Sequence, residues 1–170
     1  MSSAQVRIFP HSQQEFPSED SLLAWLLTGL RARGGVYLLR NPNAVKDPPP
    51  DSVVLFRYGQ RIVGEAVVCK GKETFAEKVK RRTLTGEEVE YGAAITFAPS
   101  SIRLYAPPVS IEWLQRHLQN KDVVKFPPAY HELEWDVYAK VLQQVVTQEG
   151  FLVTRSVEAE PAAAADRPRD

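Results

Sequence analysis

The sequence predicts a single α+β domain: a small, mostly antiparallel β-sheet, curled or closed into a barrel, with helices at its margins. Three observations carry that reading. Ser52 to Lys70 holds two apolar runs, Val53–Phe56 and Ile62–Val68, split by Arg57-Tyr58-Gly59-Gln60-Arg61. β-Branched and aromatic side chains suit a pleated, half-buried surface, and Gly59 tolerates the positive φ of a tight turn, so the stretch predicts a β-hairpin. About five to seven short strands then appear without regular helix alternation, which favours α+β over a doubly wound parallel sheet. Finally, 170 residues, 44% hydrophobic and 25% charged, suffice for one real core.

The elements follow in chain order. Val6–Phe9 predicts a short strand stopped by Pro10. Ser18 can cap a helix whose first turn carries Glu19 and Asp20, where acids favour the positive end of the dipole. Leu22, Leu23, Leu26, Leu27 and Leu30 then share one face, with Trp25 at its edge. Gly34-Gly35 ends this helix, and Val36–Leu39 is the next strand. Pro48-Pro49-Pro50 places a loop before the hairpin. Gly64, inside the second hairpin strand, predicts a bulge or a close backbone approach.

Thr74–Arg82 reads as a short helix or an ordered loop. Ala93–Phe97 is an apolar strand broken by Pro99, and Ile102–Tyr105 alternates as a further strand. After a Pro107-Pro108 loop, Ser110 can cap a helix over Ile111–Leu118. Pro127-Pro128 precedes a longer helix carrying Tyr130, Leu133, Val137, Val141 and Val145 at helical spacing, with Gly150 as its stop. Phe151–Val153 is a last strand. The domain spans residues 1–157; from residue 158 the composition shifts to Ala, Pro, Asp and Arg, which predicts a disordered tail or linker over residues 158–170.

Composition excludes several functions. Lys+Arg and Asp+Glu both number 21, so the formal charge is zero and any electrostatic site is a local patch. A single cysteine excludes an internal disulfide and a cysteine-based zinc site. His11, His117 and His131 are far apart, so no metal or other cofactor is expected. There is no Gly-x-Ser-x-Gly, Walker-type loop or His-Glu-x-x-His, so the chain is not expected to be an enzyme. Cys69, among apolar neighbours, reads as a small buried core residue. No apolar run approaches a membrane span and the start is not a basic, apolar leader, so no membrane partner and a cytoplasmic location are expected.

Val6–Ser12, a leucine-rich helix with Trp25, Gly35-Val36-Tyr37-Leu38-Leu39, Asp51–Arg57 and Ile62-Val63-Gly64-Glu65-Ala66 follow one another in that order. This text resembles the PUA-like superfamily, the β-barrel group that includes EVE, YTH, ASCH and SRA domains. The resemblance covers roughly Val6 to Lys70. It implies nucleic-acid binding, to DNA or RNA. For several members it implies reading a modified base, flipped from a duplex or taken from a single strand, in an aromatic pocket. Such a domain would serve as the recognition module of a restriction or regulatory system. The tail would then link to a fused or associated effector domain.

Candidate contacts follow from side-chain chemistry. Lys70, Lys72, Lys78, Lys80, Arg81 and Arg82 lie within thirteen residues, against Glu73 and Glu77. They are candidate phosphate ligands, or a solvated loop kept soluble by charge. Among the aromatics most are core; Tyr58 at the hairpin turn beside Arg57, and Trp113 after the proline pair, are the candidate base platforms. Stacking on such a face is worth roughly 1–3 kcal/mol per base. Arg40 and Asn41 can contact phosphate or a base edge, or serve the turn before Pro42. Glu65 either faces the interior and accepts from a base, or points to solvent. The competing function is a protein-interaction or small-ligand-binding module on the same barrel.

Overall fold

The computed structural model describes residues 3–40, 47–118 and 131–149. Strand β1 (Val6–His11) leads to helix α1 (Glu19–Ala24), which continues as π-helical turns over Trp25–Leu30. Then come β2 (Val36–Leu39), β3 (Val53–Tyr58), the 22-residue β4 (Arg61–Arg82) and β5 (Glu88–Phe97). A 3-10 turn at Pro99–Ser101 joins β5 to β6 (Arg103–Ser110). Helix α2 (Ile111–Gln115), strand β7 (His131–Leu133) and helix α3 (Trp135–Glu149) complete the described chain.

Among the described residues the architecture is α+β, with seven strands ordered β2-β5-β4-β3-β1-β7 and β6 on β4. Every pairing is antiparallel except β1 with β3. Among the described residues the ladder is open, with β2 and β7 at its ends, so closure into a barrel is not seen. Long β4 changes partners along its length: β3 and β6 flank Arg61–Glu65, and β5 takes over from Val68 onward.

Both faces of the central strands are buried. On one side Phe9, Val54, Phe56, Val63 and Phe97 meet Leu22, Leu26, Leu27 and Leu30 of the first helical segment. On the other, Val6, Ile8, Val53, Leu55 and Ile62 meet Ile111, Leu114, Val137, Val141 and Val145 of α2 and α3. Side chains alternate across a strand, so Val53 and Leu55 face one core while Val54 and Phe56 face the other. That explains why β3 reads as an unbroken apolar run.

Several local expectations are met. Ser18 caps α1 in a reciprocal box with Ser21, and Ser110 caps α2. The hairpin turns at Gly59, and its second strand bulges at Val63, since Phe56 faces Gly64 while Arg57 faces Ile62. Gly64 packs so closely on β6 that a Cβ there would lie 2.5 Å from the Arg103 carbonyl oxygen.

Other expectations are corrected. Pro10 does not stop β1. Gln5 directs its N–H and C=O to Ser52 and Val53, at the start of β3, so alternation turns Pro10 to the opposite edge, beyond the end of β7 at Ile8. Among the described residues its missing donor falls where no strand needs it. Pro107 and Pro108 lie within β6, in an excursion between the paired residues Leu104 and Val109. Leu133 belongs to a strand, and the last helix starts only at Trp135. Thr74–Arg82 is neither helix nor loop but the outer part of β4. Cys69 is exposed rather than buried. Asn41, Pro127, Pro128, Tyr130, Gly150, Phe151–Val153 and the tail lie outside the described residues.

Candidate functional site: an aromatic slot under the β4–β5 ribbon

Beyond Thr74, β4 and β5 continue as a two-stranded ribbon pairing Val79–Arg82 with Glu88–Tyr91. Its tip folds back on the body. The Thr83 N–H donates to the Glu87 carbonyl, the Thr85 hydroxyl donates to the Gln14 carbonyl over 2.9 Å, and Leu84 packs against the first core. Arg40, at the end of β2, pairs with Glu87 of the tip over 2.6 Å.

Under this roof lies a cavity of about 60 Å³. Its buried wall is aromatic: His11 of β1, Phe16 of the following loop, Trp25 at the start of the π-helical turns, and Tyr37 of β2. The rings of Phe16 and Trp25 are 5.4 Å apart, and Trp25 and Tyr37 are 5.9 Å apart. Half-buried Leu84 and Tyr91 approach from the ribbon, and exposed Arg81 and Arg82 stand at the rim with Arg33. Glu15 and Thr83 add polar groups. The volume holds several water-sized groups, the scale of one flat ring. π-Helical turns recur at functional sites.

The polar chemistry of the wall is defined by a short relay. Nδ1 of His11 lies 3.3 Å from the Arg57 carbonyl oxygen, which can only accept. Burial pulls the His11 pKa below 6.5, outweighing the upward pull of Glu15 and of backbone hydrogen bonds. The ring is therefore neutral with its proton on Nδ1, and Nε2 accepts from the Tyr37 hydroxyl over 2.7 Å. With its proton so engaged, the Tyr37 oxygen keeps acceptor capacity.

The residues expected from sequence are dispersed around this cavity. Arg81 and Arg82 line it, while Lys70, Lys72, Lys78 and Lys80 run along the strand that leads to it. Lys70 pairs with Glu73, and the Lys72 N–H is held by Asp47. Register sets Lys80 opposite Glu90 and Arg82 opposite Glu88, whereas Arg81 faces Val89. The ribbon is thus less positive than the run of β4 alone suggests.

Arg40, Arg57, Tyr58, Glu65 and Trp113 are not part of the lining, and Asn41 lies outside the described residues. Arg57 is buried and donates from Nε to the Gly59 carbonyl. The Tyr58 hydroxyl donates to the Phe16 carbonyl. Glu65 faces the second core, where Tyr105 and Tyr138 both donate to it. Trp113 packs 4.4 Å from His117. Sequence reasoning passed over His11, Glu15, Phe16, Arg33 and Leu84. One signal existed: alternation puts His11 with Phe9, and Tyr37 with Leu39, on one interior face.

Among the described residues no group of three or more His, Cys, Asp and Glu could hold a metal ion, and no helix is long and apolar enough to cross a membrane.

No family model and no curated protein matches the chain. Among solved structures it is similar to the crystal structure of protein Atu2648 from Agrobacterium tumefaciens. The two share 14% sequence identity at a TM-score of 0.50, over 90% of this chain and all of the other. At that identity the likeness concerns the fold alone.

Proposed function

We propose that this chain is a PUA-like nucleic-acid-binding domain that accepts one base, single-stranded or flipped out, in the slot beneath the β4–β5 ribbon. A modified base read by such a slot would make it the recognition module of a restriction or regulatory system. The observation that carries the reading is the juxtaposition of His11, Phe16, Trp25 and Tyr37 with Arg81 and Arg82 at one cavity. Aromatic faces return stacking energy for a base, and flipping one costs a few kcal/mol that such a wall must offset. Guanidiniums at the rim suit the backbone phosphates. No step of chemistry is assigned to the site.

A second reading is a small-ligand module on the same sheet. It is favoured by Glu88 and Glu90, which stand across from Arg82 and Lys80 and weaken the grip on a polyanion.

Titrating short single-stranded and duplex oligonucleotides, modified and unmodified, at two salt concentrations separates the two. The proposal expects binding that weakens steeply with salt and falls about tenfold or more in Tyr91→Ala, by loss of a stacking face. Absence of binding at low salt overturns it and leaves the small-ligand reading.

A further inference from the structure

We infer that Arg33 and Arg81 form a phosphate subsite for the same nucleotide whose base fills the aromatic slot. The inference rests on the base-binding reading and adds the chemistry of the ligand: a nucleotide rather than a free base or nucleoside.

Depth orders the chemistry of the cavity. The aromatic side chains are buried, with Trp25 7% and Tyr37 8% exposed, whereas Arg81 and Arg82 are exposed. A second hollow of about 220 Å³ opens beside the slot, lined by Arg33, Val36, Leu38 and Arg81. These four residues also line the slot, so the two spaces adjoin. Glu15 lines the slot but not the outer hollow. Its carboxylate disfavours an anion inside, and the phosphate is directed outward.

The two guanidiniums arrive from different elements. Arg33 closes the first helical segment, its N–H bonded to the carbonyls of Gly29 and Leu30, just before the Gly34-Gly35 turn. Arg81 comes from the ribbon, where register gives it Val89 as its cross-strand neighbour and no carboxylate. One of its nitrogens donates to the Lys80 carbonyl, and a guanidinium carries five N–H donors in a planar fork that matches phosphate geometry. Two such forks converging on one open hollow suit a phosphate monoester or diester next to a buried ring.

The test titrates cytidine, adenosine, their 5′- and 3′-monophosphates and inorganic phosphate into the full chain by calorimetry. The expected result is a monophosphate that binds about tenfold or more tightly than its nucleoside, as charge-assisted bidentate contacts allow. Arg33→Ala and Arg81→Ala each bring that ratio towards one, and the corresponding lysine variants restore part of it. Arg81 is exposed, so its variant tests the subsite even if Arg33→Ala misfolds. Equal affinity for nucleoside and monophosphate, or a ratio that survives in the Arg81 variant, overturns the subsite and leaves the base slot standing. If none of these probes and no oligonucleotide binds, the base-binding reading falls and the subsite with it.

Discussion

The Tyr105 hydroxyl donates to Oε1 of Glu65 over 2.7 Å, inside the core that packs α3 against the sheet. Tyr138 of α3 donates to the same carboxylate, at 3.1 Å from Oε1 and 3.0 Å from Oε2. A buried carboxylate is costly unless hydrogen-bonded, so these two phenols make Glu65 tolerable in β4 and fasten α3 to it.

Removing one phenol leaves part of that carboxylate unsatisfied. Tyr105→Phe is expected to cost about 1.5–3 kcal/mol, the range for hydrogen bonds to charged groups. Urea denaturation reads it; a loss under about 0.5 kcal/mol, the size of a neutral surface change, shows that the contact is immaterial. Burial, then the charge and hydrogen bond of Glu65, push both phenols above the ordinary 10.0. A raised acid pKa means that the folded state holds protons the unfolded state has released. This contribution is therefore complete below pH 10 and is lost as pH rises through the folded values. The phenolate absorbance of the two tyrosines should lag behind that of Tyr58, whose phenol is also raised, or appear only on unfolding.

His11 contributes to the acid side of the profile. Its pKa is held below 6.5 by burial, so the unfolded chain binds the proton more readily. Its contribution is present above pH 6.5 and is lost as pH falls through the folded value. Stability measured by denaturant at pH 5.5 should be lower than at pH 7.5, and His11→Asn should flatten that part of the profile. An unchanged slope in the variant assigns the dependence to other groups.

The turn into β2 has no room for a side chain. A Cβ on Gly35, which has φ +83°, would lie 1.9 Å from the Phe97 carbonyl oxygen. Phe97 also donates its N–H to the Gly35 carbonyl over 2.8 Å. Gly35→Ala must displace backbone there, and a loss of roughly 3 kcal/mol or more is expected. Gly34, at φ +69° with nothing within 4 Å of its added Cβ, should lose only about 1 kcal/mol on the same change. Thermal melts of the two variants side by side check the ranking.

The acidic partners of the ribbon supply the last prediction. Glu88 and Glu90 oppose Arg82 and Lys80, and direct cross-strand neighbours sit about 5 Å apart. Under the nucleic-acid proposal, Glu88→Gln with Glu90→Gln should tighten oligonucleotide binding and steepen its salt dependence. Affinity and slope equal to those of the native chain would place the bound strand away from the ribbon.

The sequence made some of this legible and hid the rest for physical reasons. The hairpin, the Ser18 and Ser110 caps and the Gly34-Gly35 stop were readable because each follows from local backbone chemistry. The outer half of β4 was not. Its side chains from Cys69 to Arg82 are exposed or half-buried, so no apolar alternation marks the strand, and only pairing with β5 orders it. The same exposure defeats the expectation for Cys69, which is exposed directly after the buried Val68. The slot draws His11, Trp25, Tyr37 and Arg81 from four elements with no common spacing. Two of its guanidiniums, Arg81 and Arg82, were visible as part of a basic run, but their aromatic partners were hidden among ordinary core residues.

Strand β3 contributes alternate side chains to both hydrophobic cores. Neither half of the molecule can therefore melt while the other stays intact, because the loss of this strand strips both at once. A reporter at Trp25 and another at Tyr105, on opposite faces, should lose their signals at one shared midpoint.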